Sequence, residues 1–349
     1  MGNGDSTDVA RALWFTAPRT TELREETLSP PGRGEILVRG IVSLVSAGTE
    51  MNVYRGQSAT AAELDLPTAE GEFPFPMKFA YQIVGEVEQA GEGSPYSVGD
   101  RVFSYHPHQD RFLIGGSSGA DDLLEGASMV FPVPPDLDPE RAAFANLFCV
   151  AYNGLLDHPI RIGDCVAVSG LGVIGSFAAH LARRTASRLV LVDPLQQRRE
   201  RAGWIGAEAV VHPDQAAEAI AELTDGRGVD VYVEASGATP ALQGAIDATG
   251  QEGTVVVISY YGKREASLRL SPEFHLRRQR IVSSMVGMIG SGLQPRWNAE
   301  RRMAVAMEQL ASFDTEALIS HRVPFEEAPA AYEQIDNRPE ESLGILLRY

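Results

Sequence analysis

The pattern of apolar and polar positions changes character once along the chain. Up to about residue 150 the apolar residues come in short runs that alternate with polar ones and break at Gly and Pro, as in EILVRGIVSLVS (35–46) and QIVGEVEQAGEGSPYSVGDRVFSY (82–105). Alternation punctuated by turn residues predicts short strands and a β-rich, barrel-like domain. From Asp164 the strands are written as near-continuous Val, Ile and Leu: CVAVSG (165–170), RLVLVD (188–193), VDVYVEAS (229–236) and GTVVVIS (253–259). Stretches of helical period lie between them, over 173–184 and 198–205. Strands apolar on both faces and alternating with helices predict a doubly wound parallel α/β sheet. A helical stretch at 299–310 and a strand in SLGILLRY (342–349) are expected to return to the first domain. The expected division is 1–150 with 296–349 for the barrel, and 151–295 for the α/β domain.

Composition narrows the function classes. Hydrophobic residues at 44% and charged residues at 22% describe a folded chain, and 349 residues suit two or three domains. A formal charge of −17 repels phosphate backbones and anionic lipid, so neither a nucleic acid nor a membrane is an expected partner. No apolar run approaches the roughly 20 residues that span a bilayer, and the first residues lack a basic stretch followed by an apolar one. A cytoplasmic protein acting on a small molecule is the expectation. Cys149 and Cys165 are the only cysteines, too few for a disulfide framework or a four-cysteine zinc site.

The segment SGLGVIGSFAAHLARR sets Gly170, Gly172 and Gly175 between an apolar strand and a helix. In a Rossmann unit the first glycine takes the tight turn, the second lets backbone approach a pyrophosphate, and the third lets helix and strand pack closely. Leu171, Val173 and Ile174 belong to the same turn, whose helix N-terminus favours an anion. Asp193 ends the next strand, 23 positions after Gly170, where a carboxylate accepts from ribose hydroxyls and repels a 2′-phosphate. NAD is therefore expected over NADP, although Arg198 and Arg199 stand close enough to tolerate both; the alternative for Asp193 is a helix N-cap before Pro194. Ala235 and Ser236, with Ser259, Tyr260 and Tyr261, end two further strands on the edge where a cofactor lies in such folds.

With SAGTEMNVYRG (46–56), FAYQIVGEVEQAGEGSPYSVGDRV (79–102), the glycine turn and LISHRVPFEEAPAAYE (318–333), the chain resembles the medium-chain dehydrogenase/reductase family over nearly its whole length. The resemblance implies a GroES-like barrel domain beside the Rossmann domain, and a homodimer. In the zinc-dependent members the first matching motif carries Cys, the second His followed by Glu, and a third ligand, Cys or Glu, comes just before the cofactor domain. Here those positions fall on Ala47, Tyr81, Gln82 and Asn146, so no metal is expected. Gly-Thr-Glu at 48–50 and Tyr at the ligand histidine resemble the bacteriochlorophyllide a dehydrogenase branch, which implies NAD-linked oxidation of a secondary alcohol.

A site without a Lewis acid needs a hydrogen-bond donor and a proton acceptor in its place. Tyr81 is the first candidate, able to donate to a carbonyl oxygen or, with its pKa lowered by Lys78, to accept a proton. In an extended strand positions 78 and 81 point to opposite faces, so that pairing needs a turn or bulge. Thr49 matches the family's hydroxyl relay, Glu50 the carboxylate behind the metal, and Asn146 a further donor. His106 of the HxH pair at 106–108 is a candidate pocket or shuttle group; with no third donor close in sequence, metal binding there is disfavoured. The resulting expectation is a zinc-free alcohol/ketone oxidoreductase acting on a hydroxylated metabolite. Its rivals are an enone or quinone reductase and a dinucleotide-binding sensor that has lost catalysis.

Overall fold

The computed structural model describes residues 8–58, 69–115 and 130–349. They divide into two compact units, 1–146 with 297–349 and 147–296.

The first unit is built mainly from strands. β1 (Asp8–Ala17), β2 (Thr20–Leu28), β4 (Glu70–Gly71) and β5 (Met77–Lys78) form one sheet in the order β2-β1-β5-β4. β3 (Glu35–Val45), β6 (Ile83–Ala90), β7 (Arg101–Ser104), β8 (Arg111–Gly115), β9 (Val130–Pro132), β16 (Ile319–Pro324) and β17 (Gly344–Arg348) form the other. β3 is shared: its first half pairs with β8, its second half with β17, and β6 runs along both. The register shifts on either side of Gly40, where a side chain would strike the Tyr349 ring at 3.0 Å. Opposite it, a Cβ on Gly85 would come within 2.5 Å of the Arg39 carbonyl oxygen, so two facing glycines let the strands bend past each other. Ile36, Val38, Ile83, Val87, Val102, Phe112 and Val130 fill the interior. α1 (Thr49–Tyr54), α2 (Pro139–Ala142), α9 (Ala299–Ser312) and α10 (Ala328–Asn337) complete the unit, and α3 (Ala145–Asp157) begins in it.

The second unit is a six-stranded, wholly parallel sheet of β10 (Cys165–Ser169), β11 (Arg188–Val192), β12 (Ala209–Val211), β13 (Val229–Glu234), β14 (Thr249–Val257) and β15 (Arg280–Ser283). Their order, β12-β11-β10-β13-β14-β15, reverses direction between β10 and β13. Every residue of β10 is buried, whereas the edge strands β12 and β15 are partly open, as continuous apolar runs at the centre of a covered sheet require. α4 (Val173–Arg183), α5 (Gln196–Arg201), α6 (Pro213–Thr224), α7 (Thr239–Ala248) and α8 (Glu273–Leu276) connect the strands. The expected α/β class with a β-rich companion is what the chain adopts. One expected helix, 198–205, is instead α5 followed by a 3₁₀ turn at Ala202–Ile205, ended by Gly206 at φ +72°. Among the described residues no helix is long and apolar enough to cross a membrane.

Candidate active site and dinucleotide turn

In the first unit, the chain leaves β3 at Val45, turns through 46–48 and enters α1 at Thr49. This turn is organised by Glu50, which is fully buried and whose Oε1 accepts the Ser46 N–H at 3.1 Å. Its Oε2 accepts the Tyr332 hydroxyl of α10 at 2.6 Å and meets His108 Nε2 at 3.1 Å. Because a carboxylate only accepts, Nε2 carries the imidazole hydrogen and Nδ1 accepts from Ser43 Oγ at 2.7 Å. Ser43 in turn takes the Tyr349 hydroxyl at 2.9 Å. The chain Tyr349–Ser43–His108–Glu50 is therefore polarised toward one buried carboxylate. Burying such a charge costs several kcal/mol unless it is hydrogen-bonded, and three donors meet that need here.

Tyr81 lies against this cluster. Its hydroxyl donates to Ser46 Oγ at 2.5 Å, with Thr49 as a second hydrogen-bond partner. Burial, and then the Glu50 charge, raise its pKa well above that of a free phenol. The structure thus corrects the expected role of Lys78. That side chain is buried between Glu26 at 2.8 Å and Glu70 at 2.7 Å, beneath Trp14, and contributes nothing to the acidity of Tyr81. Tyr81 is held as a protonated donor; it is not an activated base.

The remaining candidates are dispersed. Asn146 Oδ1 accepts the Tyr105 hydroxyl at 3.0 Å. Gln82 gives its amide N–H to the Leu44 carbonyl, leaving its buried Oε1 without a partner. His106 lies outside any strand, stacked on Phe112 at 4.0 Å with Nδ1 on the Pro107 carbonyl; burial lowers its pKa to about 3, so the ring is neutral. Among the described residues no three His, Cys, Asp or Glu gather where they could hold a metal ion. Reading motifs in sequence did not find Ser43, Ser46, His108, Tyr332 or Tyr349. Only the HxH pair drew notice to His108.

In the second unit the glycine turn joins β10 to α4. Gly170 has φ +86°, and a Cβ there would lie 2.6 Å from Ser236 Cα. A Cβ on Gly175 would lie 1.7 Å from the Gly170 carbonyl oxygen. Gly172, the N-cap of α4, differs: its φ of −69° is ordinary and its Cβ would meet nothing within 4 Å. Two glycines are thus required by the chain's own packing, whereas the third borders open space at a helix N-terminus.

Asp193, buried after β11, takes the Leu171 N–H on Oδ2 at 2.7 Å and the Leu195 N–H on Oδ1 at 2.8 Å. It does not cap α5, whose N-cap is Leu195; it ties the glycine turn to the end of β11. Each oxygen keeps a second lone pair for a ligand. Arg198 Nη1 stands 3.9 Å from Oδ2. Ala235 and Ser236 follow β13, and Ser259, Tyr260 and Tyr261 follow β14, both at the carboxyl ends of the strands next to the reversal point. Glu234, not singled out in the sequence, lies beneath both loops and accepts the Tyr261 hydroxyl at 2.8 Å.

Comparison with known proteins agrees with this geometry. The family described as "Zinc-binding dehydrogenase" matches residues 173–305. D-guloside 3-dehydrogenase of Shigella flexneri is 28% identical over 96% of this chain and 99% of its own length. Sorbitol dehydrogenase of Halalkalibacterium halodurans is 25% identical over 81% of this chain and 87% of its own. An Escherichia coli alcohol dehydrogenase solved with NADH superposes at a TM-score of 0.77, with 16% identity, over 98% of this chain and 99% of that one. Glycine turn and strand order are those of a doubly wound dinucleotide-binding unit, and over nearly its full length the chain is similar to zinc-binding, alcohol dehydrogenase-like dehydrogenases.

Proposed function

We propose that the chain is an NAD(H)-linked oxidoreductase that interconverts a secondary alcohol and its ketone without zinc, with Tyr81 as the donor to the substrate oxygen. The observation that carries this reading is the replacement at the ligand positions. Ala47, Tyr81 and Asn146 stand there, and the Tyr81 phenol is buried, protonated and seated on Ser46. Zinc requires thiolate, imidazole or carboxylate donors at about 2.0–2.3 Å, so this set does not fit it.

The dinucleotide does fit. Gly172 leaves room beside the α4 N-terminus, and Asp193 offers lone pairs to a ribose while opposing a 2′-phosphate. When bound, NAD supplies the hydride acceptor at its nicotinamide ring. The protein's own part is to bind, orient and handle a proton. In ketone reduction the Tyr81 hydroxyl leaves Ser46 and donates to the carbonyl oxygen as negative charge develops there. In the opposite direction the raised pKa leaves almost none of the phenol ionised to accept a proton at neutral pH, so alcohol oxidation speeds up as pH rises. Ser46 and Thr49 hold the phenol, and Glu50 holds Ser46. The sugar and polyol substrates named for two relatives support a polar, hydroxylated small molecule. A protonated Tyr81 would equally serve an enone reductase by protonating an enolate carbon.

The test is NADH-driven turnover of a panel of hydroxyketones and enones by chelator-treated wild-type protein and by Tyr81→Phe. Chelation is expected to leave the rate intact, and Tyr81→Phe to cut it by at least about tenfold, the lower range for a positioned acid. Loss on chelation that zinc restores overturns the metal-free reading. Turnover of Tyr81→Phe within twofold of wild type removes the role of the phenol. Enone turnover with inert ketones favours the reductase.

A further inference from the structure

Glu234 is fully buried at the last position of β13 and takes hydrogen bonds from the loops that follow two different strands. From the loop after β13, Oε1 accepts the Ser236 N–H at 2.7 Å and the Ser236 hydroxyl, and the Gly237 N–H reaches both oxygens at 3.2 and 3.3 Å. From the loop after β14, Oε2 accepts the hydroxyls of Ser259 and Tyr261, the latter at 2.8 Å. One carboxylate therefore fastens the 235–237 loop to the 259–261 loop.

The 235–237 loop is pressed from its other side by the glycine turn. A Cβ on Gly170 would lie 2.6 Å from the Ser236 nitrogen and 2.8 Å from the Ala235 carbonyl carbon, and one on Gly175 would lie 3.3 Å from Ala235 Cβ. On the far side a Cβ on Gly237, at φ +64°, would meet the Tyr260 carbonyl oxygen at 3.3 Å. Glycine turn, first loop and second loop are thus stacked without slack at the carboxyl ends of β10, β13 and β14, which are neighbours in the sheet.

We infer that Glu234 is a positioning residue of the dinucleotide site, fixing both loops in the arrangement that a bound nicotinamide dinucleotide meets. This rests on the cofactor reading given above. Only a carboxylate suits the position: it offers about four lone-pair sites and no hydrogen, and five donor groups point at it. With its oxygens so engaged it touches no ligand. It also turns the Ser259 and Tyr261 hydroxyls inward, so that backbone and ring faces line the loops. A glutamine keeps the shape and one acceptor oxygen, but its amide N–H groups face Ser259 and Tyr261. Those hydroxyls must reverse to accept, and their hydrogens then point away from residue 234.

The experiment is calorimetric titration of the full chain with NADH, for wild type, Glu234→Gln and Tyr261→Phe, with thermal unfolding of each protein measured without cofactor. Glu234→Gln is expected to weaken NADH binding at least about tenfold, the lower end of the about 10- to 100-fold that positioning groups behind metal ligands are worth, while its unfolding midpoint stays close to wild type. Tyr261→Phe removes one donor, leaves the carboxylate in place and is expected to weaken binding less; it carries the test if the glutamine variant does not fold, any NADH weakening at an unchanged midpoint then supporting the assignment. Wild-type binding with unchanged affinity in a folded Glu234→Gln, or, where that variant does not fold, in Tyr261→Phe, overturns the inference alone. A lowered midpoint with unchanged affinity makes Glu234 a stability residue only and overturns it too. Failure of the wild-type chain to bind NADH or NADPH overturns the cofactor reading itself and this inference with it.

Discussion

Replacing Gly175 and Gly172 separately by Ala distinguishes a glycine that the fold needs from one that a ligand needs. At position 175 the new methyl would lie 1.7 Å from the Gly170 carbonyl oxygen, 2.9 Å from its carbon and 3.3 Å from Ala235 Cβ. Non-bonded heavy atoms pack at about 3.5–4.0 Å, so the first turn of α4 must retreat by about 2 Å. Overpacking of this kind costs about 1–3 kcal/mol. The obstacle is backbone and cannot swing away, which argues for the upper end. Ala regains up to about 1 kcal/mol over Gly in a helix. A net loss of about 1–2 kcal/mol lowers the unfolding midpoint of a unit of this size by roughly 2–8 °C. At position 172 the methyl meets nothing, and φ −69° with ψ −174° suits any residue. Stability should change only by the modest N-cap preference of Gly over Ala, less than about 1 kcal/mol. A pyrophosphate resting on that backbone would nonetheless lose its place, and about 1.4 kcal/mol of misfit is tenfold in affinity. Differential scanning calorimetry and NADH titration of both variants are the assays. A Gly172→Ala protein that binds NADH as wild type does would refute the pyrophosphate assignment, and an unchanged midpoint for Gly175→Ala would refute the packing argument.

Two further outcomes are expected. Asp193→Ser removes a charge opposed to a 2′-phosphate, and the ratio of NADP to NAD affinity should rise at least about fivefold, the effect of about 1 kcal/mol for unit charges near 4 Å in water; equal ratios in both proteins would remove that role. His106 titrates near pH 3 when folded and near its ordinary value when unfolded, so between those values the unfolded chain binds the extra proton. Stability is therefore complete above about pH 6.5 and falls by up to about 1.4 kcal/mol per unit as pH drops toward 3. Denaturant unfolding of wild type and His106→Gln across that range checks it, parallel curves being the contrary result.

Much of the second unit was legible because its signals are local. The runs CVAVS and RLVLV are each long enough for one buried strand, and the glycines of the turn sit within six residues of one another. The boundary of α5 was not, because it follows from Pro194 and from Asp193 holding the Leu195 N–H, and periodicity carries neither. The first unit conceals more. Glu50 meets His108, Tyr332 and Ser46 across separations of 58, 282 and 4 positions, and Ser43 meets Tyr349 across 306. No window of sequence contains such a network. Lys78 illustrates the converse: three residues from Tyr81, it takes its partner Glu26 from 52 positions away, since β5 ends at Lys78 and the tyrosine lies in the connection before β6.

The sharing of β3 has a consequence for biosynthesis. Its second half finds its partner β17 only after about 300 further residues have been made, which takes about 15–60 s at ordinary ribosomal rates. The α/β unit, contiguous from 147 to 296, is synthesised entirely within that interval. During that interval the nascent barrel presents an unpaired strand edge, the kind of surface that recruits other chains. Expression at lower temperature or with added chaperone should therefore raise soluble yield more for the whole chain than for the excised 147–296 segment.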